Sequence, residues 1–163
     1  MAGIDDLMRA LAETTGWSGL AAPDSFGVWR VSLEEDLDAV FFLLGHSIVM
    51  RGVVVDLPNE RVEAGSLCDT AARRQVAVLR ERPSILALEM SGQSLVPGED
   101  LAAARLVCFR TLPLNTDRND FVEEVQGWLN DLAWWKAELE MSKDRQNGLS
   151  GIFSMDAFAD IRL

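Results

Sequence analysis

Residues Asp38–Val55 read DAVFFLLGHSIVMRGVVV, and the folding of this stretch decides the rest. β-Branched and aromatic residues run together without a helical period and break only at Gly45-His46, which reads as a tight turn between two strands, Asp38–Leu44 and Ser47–Val55. A sheet wetted on one side alternates apolar and polar side chains, and these strands do not. Asp38, Val40, Phe42 and Leu44 share one face, with Ala39, Phe41 and Leu43 on the other; Ile48, Met50 and Val54 oppose Val49, Arg51, Val53 and Val55. Both faces are apolar, so both need a cover.

Upstream, Phe26–Leu33 supplies a third strand, and the turn Glu34-Glu35-Asp36 is too short for a parallel crossover, so the three form an antiparallel meander. Before it, Ile4, Leu7, Met8, Leu11 and Ala12 recur at helical spacing beside Asp5 and Asp6, and Gly16 is placed to end the helix in a left-handed conformation. Downstream, Arg61–Arg82 reads as a second helix closed by Pro83. Ile85–Met90 and Ala104–Leu112 form a strand hairpin across a loop holding Ser91-Gly92 and Pro97-Gly98. Phe121, Val125, Trp128, Leu129, Leu132, Trp135 and Leu139 then mark one stripe of a long helix, with Asp117 as N-cap, while Glu123, Glu124, Asp131 and Glu138 lie off it. The predicted fold is α+β in the order α-β-β-β-α-β-β-α, with a five-stranded, mostly antiparallel sheet and its helices packed on one face. Residues 1–140 form a single domain, and 141–163 are a C-terminal extension carrying Ile152, Phe153, Met155, Phe158, Ile161 and Leu163.

The chain has 163 residues, one domain's length, with 48% apolar and 25% charged residues. Its longest apolar run, Ala39–Leu44, falls far short of a membrane span. Twenty-six acidic against fifteen basic residues give a net charge of −11, which repels phosphate backbones and favours basic partners. Nucleic acid is therefore excluded as the main ligand. The opening Met1-Ala2-Gly3-Ile4-Asp5-Asp6 lacks the features of a secretory signal and the two cysteines imply no disulfide framework, so a reducing cytoplasm is expected.

Chemistry is sparse. The sole histidine, His46, lies in a turn; Cys68 and Cys108 lack the spacing and neighbours of a metal site and read as small hydrophobes. No phosphate loop, dinucleotide fingerprint or nucleophile elbow occurs. The sequence is read as a binder without catalytic residues, metal or cofactor. Three helices cover one sheet face, so the other needs the carboxy-terminal tail, another subunit or a client chain. With the charged face outward, Val28, Arg30, Val40, Phe42, Leu44, Val49, Arg51 and Val53 form the partner-binding set. The alternative is a two-sided core sealed by the protein's own helices and tail.

The element order, the acidity and the ending resemble the Tir-chaperone family, the class I chaperones of bacterial type III secretion. The ending is a strand running into Arg110-Thr111-Leu112-Pro113-Leu114, a polar turn, then Phe121-x-x-x-Val125-x-x-Trp128-Leu129-x-x-Leu132-x-x-Trp135. The resemblance implies a cytoplasmic homodimer that binds an extended amino-terminal segment of a secreted effector without ATP. It implies dimerisation through Arg61–Arg82 and Ile85–Met90, with Val76, Leu79, Leu86 and Leu88 at the interface. The YbjN-like proteins share this order of elements and this acidity, and are the alternative reading, as regulatory or adaptor proteins.

Overall fold

The computed structural model describes residues 3–17, 20, 22–33 and 37–153, with side chains in the last helix as far as Arg145. Its elements follow the predicted order: α1 (Ile4–Thr15), β1 (Trp29–Leu33), β2 (Leu37–Leu44), β3 (Ser47–Asp56), α2 (Arg61–Val78), β4 (Ile85–Glu89), β5 (Arg105–Pro113) and α3 (Arg118–Phe153). The five strands form one sheet in the order β1-β2-β3-β5-β4, every neighbouring pair antiparallel. β5 inserts between β3 and β4, which leaves β1 and β4 as the edges.

Local chemistry sets the helix ends. Gly16 takes φ +74° and donates its N–H to the Ala12 carbonyl at 2.8 Å, closing α1. Asp117 caps α3, its carboxylate accepting the Asn119 N–H at 2.9 Å. α3 then lays its aromatic stripe along the sheet. Phe121, Val125, Trp128, Leu132, Trp135 and Leu139 are all fully buried, and Trp128 meets Phe41 of β2 edge to face at 5.9 Å. Ile4, Leu7, Met8 and Leu11 of α1 join this core beside α3, while α2 adds buried Leu67 and Ala71 and partly buried Cys68 and Val78.

Two expected boundaries move, and one residue changes face. The first strand begins at Trp29 rather than Phe26, because the Asp24 carboxylate accepts the N–H groups of both Phe26 and Val28 and holds a turn with Gly27 at φ +74°. α2 ends at Val78, not Arg82: the Arg82 N–H still reaches the Val78 carbonyl, but the chain has left the helix before Pro83. Val55 faces the helices along with Val54, because a bulge between Val53 and Val55 adds a residue to β3 and reverses the alternation. At the other end, α3 continues through Glu140 without a break to Phe153. The turn Glu34-Glu35-Asp36 and tail residues Met155, Phe158, Ile161 and Leu163 lie outside the described residues.

Gly52 sets how closely α3 approaches β3. A Cβ at this position would overlap the side chain of Leu132, itself fully buried and unable to swing away. Gly52→Ala is therefore expected to cost about 1–3 kcal/mol in urea unfolding, and shortening the neighbour with Leu132→Ala in the same chain to recover part of that loss. A neutral Gly52→Ala would contradict this approach.

Candidate partner-binding surface

The sheet face turned away from the helices holds the predicted partner-binding residues, and most of them are closed off. Val28, Val40, Phe42 and Val49 form a second, smaller core with Val96, each at most 4% exposed. Among the described residues, the cover is the connection between β4 and β5, folded across the sheet. Val28, Val40, Phe42, Val49 and Arg51, expected to be exposed or covered by a partner, are instead buried within the single chain. Of the original set, Arg30 and Leu44 are exposed and Val53 is half-buried. Leu44 ends β2 beside the Gly45-His46 turn, where Leu43 is also partly exposed.

The connection is held by charge. Arg51 projects from β3 onto this face and is 2% exposed; its guanidinium bonds both carboxylate oxygens of Glu89, itself 1% exposed in β4. Arg105, opposite Glu89 in the β4–β5 ladder, donates to the same carboxylate at 2.8 Å and to Glu99 of the connection at 2.6 Å. Glu99 also accepts from Arg51 at 3.2 Å and lies 3.8 Å from Arg30. Glu89 additionally accepts the Leu95 N–H at 2.9 Å. Two carboxylates thus serve three arginines from three strands, and the bidentate pairing suits guanidinium geometry. Sequence reasoning missed Glu89, Glu99 and Arg105. The available signal was a lone acid in strand Ile85–Met90 and a lone arginine inside the apolar run of β3.

A second network lies on the helix side. Asp131, predicted off the apolar stripe, is buried rather than solvated and accepts from Ser84 Oγ at 2.6 Å, Arg82 at 3.2 Å and Arg110 at 3.0 Å. Arg110 also reaches Glu124 at 2.7 Å. Beside it burial pushes the Cys108 thiol up to about 12, with the Asp131 charge acting in the same direction. Burial also raises Cys68. His46 is exposed in the β2–β3 turn, and no group of three His, Cys, Asp or Glu suited to a metal ion occurs among the described residues.

Exposed apolar side chains occur on α2 and the edge strand beside it, as they also do at Phe26 and Leu44. Of the predicted dimer set, Val76 is 79%, Leu79 52% and Leu88 48% exposed, with Ile85 also open; Leu86 instead packs against the main core. One stretch of the β4 edge is already occupied. The Gln75 side chain of α2 donates to the Ser84 carbonyl at 3.0 Å and accepts the Leu86 N–H at 2.8 Å, bonding the edge as a neighbouring strand would.

Two measurements follow. Glu89→Leu leaves Arg51 and Arg105 without their main counter-charge and is expected to cost about 3–5 kcal/mol in denaturant unfolding, an effect that a solvated carboxylate would not produce. The Cys108 thiol holds its proton more tightly folded than unfolded, so its contribution is complete below about pH 9 and is lost as pH rises toward about 12. With no tyrosine in the chain, Cys108→Ala is expected to flatten much of the alkaline fall in stability.

Neither protein-family models nor curated protein sequences give a match to this chain. Solved structures do. YbjN from E. coli overlays with a TM-score of 0.58 at 13% identity, covering 87% of this chain and 94% of its own. The ExsC–ExsE complex gives 0.56 at 17% identity, covering 85% of this chain and 97% of the matched chain. The HopA1–SchA chaperone–effector complex gives 0.53 at 11%, covering 82% and 93%. No described helix is long and apolar enough to cross a membrane. Three helices on a five-stranded antiparallel sheet give the chain an α+β fold, shared with YbjN and with the matched chains of the ExsC–ExsE and HopA1–SchA complexes.

Proposed function

We propose that this chain is a type III secretion chaperone. As a homodimer in the bacterial cytoplasm it holds the amino-terminal segment of a secreted effector extended and secretion-competent, without cofactor or catalytic step. The observation that carries the reading is the overlay on two secretion complexes across more than four-fifths of the chain, in an acidic protein that exposes Val76, Leu79 and Leu88 on and beside α2 and β4. Val76, Leu79 and Leu88 are the dimer contacts in this reading; Leu86 supports them from beneath. The edge of β1 receives the client as an added strand, with main-chain hydrogen bonds supplying affinity. Arg30, Leu44 and Val53 lie near that edge as side-chain contacts, and a net charge of −11 favours client segments flanked by basic residues.

A second reading, a YbjN-like adaptor, is supported by the overlay on YbjN and by the second apolar face being closed without a partner. Co-expression with a large secreted protein encoded nearby separates the two. Light scattering on the purified material is expected to give two copies of this chain per effector, whereas a client-free monomer removes the chaperone reading. Val76→Glu with Leu88→Glu is expected to reduce the free protein from twice its chain mass to the 18.0 kDa monomer while its circular dichroism stays native. An unchanged dimer would move the interface elsewhere.

A further inference from the structure

The connection that closes the second face has the composition of a ligand. Val96 is its one contribution to the cluster of Val28, Val40, Phe42 and Val49, and Glu99, three residues on, meets Arg30, Arg51 and Arg105. Its tip carries no strand pairing. Backbone bonds tie its base, Gly92 N–H to the Leu101 carbonyl at 2.8 Å and Gln93 N–H to the Met90 carbonyl at 2.9 Å. Between these anchors the chain is held to the sheet by side chains, through Glu89 to the Leu95 N–H and through Glu99 to the arginines. Beside it lies a cavity of about 290 Å³ lined by Arg30, Val40, Arg51, Val53 and Arg105.

We propose that this face is a peptide-binding site, occupied in the free chain by residues 94–99 as an internal stand-in, and that its ligand is a segment making the same β-turn, with an apolar side chain followed three residues later by a carboxylate, as Val96 and Glu99 are joined across Pro97-Gly98 by the Glu99 N–H to the Val96 carbonyl at 3.2 Å. Charge selects that occupant. Glu89 belongs to the sheet and stays; when the tip lifts, Glu99 leaves with it, and Arg51 and Arg105 share one carboxylate. An incoming acid restores the balance, and an apolar residue at the matching distance refills the place of Val96. The inference deepens the chaperone reading, since it names a feature of the client and makes capture a displacement. A tethered competitor lowers apparent affinity by the fraction of time the site is closed, so weakening the tether raises it.

The test is an NMR titration of the full chain with a synthetic peptide of residues 93–101, QSLVPGEDL. The hosts are the wild type, Glu99→Gln, and Val96→Ser with Glu99→Gln; the single isosteric change keeps the experiment decisive if the double variant does not fold. The amides of Val40, Val49, Arg51 and Val107 are expected to shift and saturate, with affinity at least about tenfold higher in the folded variants than in the wild type. A peptide carrying the same V96S and E99Q changes is expected to lose at least about tenfold. Folded variants whose amides stay fixed at millimolar peptide, or respond equally to both peptides, would overturn the proposal. The assay uses only this chain and its own segment. Peptide binding without effector capture keeps the site and removes the secretion reading; effector capture with no peptide response does the reverse.

Discussion

Arg51 stands in the middle of an apolar strand, and its charge must be matched where water does not reach. Breaking such a pair leaves an unbalanced charge in a low-dielectric setting, so the matching carboxylates are obligatory wherever the arginine is buried. One of them, Glu89, comes from β4, two strands away across β5, and this fixes the register of the β4–β5 hairpin against the meander. The other, Glu99, comes from the connection and brings it down onto the sheet. The buried ion group contributes specificity of arrangement: it selects which segment covers the second face and at what height.

The two sides of the sheet are consequently covered in different ways. On one side α3 supplies a continuous aromatic stripe through Phe121, Trp128 and Trp135, with α1 and α2 alongside, and Gly52 admits Leu132 into close contact. On the other, a single valine from one connection joins four apolar side chains, the Phe26 ring lies against Gly98, and ionic bonds from Glu99 to three arginines hold the connection down. A cover with few apolar contacts and no strand ladder opens at lower free energy than the helix layer. That asymmetry is what the proposed exchange of the connection for a client segment requires.

Much of this was legible in the sequence because it is local. The α3 stripe, the Gly16 stop, the Asp117 cap and the Gly45-His46 turn each follow from residues within one or two turns of chain. The surplus of apolar residues on both faces of β2 and β3 was also plain, and it correctly demanded a second cover. What covers it was not plain, because the identity of the cover rests on pairings between residues 38 and 48 positions apart, Arg51 with Glu89 and with Glu99. A loop rich in glycine, proline and serine between two strands carries no periodicity to mark it as a lid. Asp131 illustrates the same limit. Its place off the apolar stripe suggested solvent, whereas Ser84, Arg82 and Arg110 converge on it from the other side of the α3 interface. Of the dimer set, Val76, Leu79 and Leu88 are exposed and Leu86 packs against the core.

Without a client, each chain closes its own second face through the β4–β5 connection. The most direct measurement is the set of nuclear Overhauser contacts of the Val96 methyl groups in the free protein. The account predicts contacts from those methyls to the Phe42 ring and to the methyls of Val40 and Val49. Val96 methyls at random-coil shifts, without contacts to β2 or β3, would contradict it.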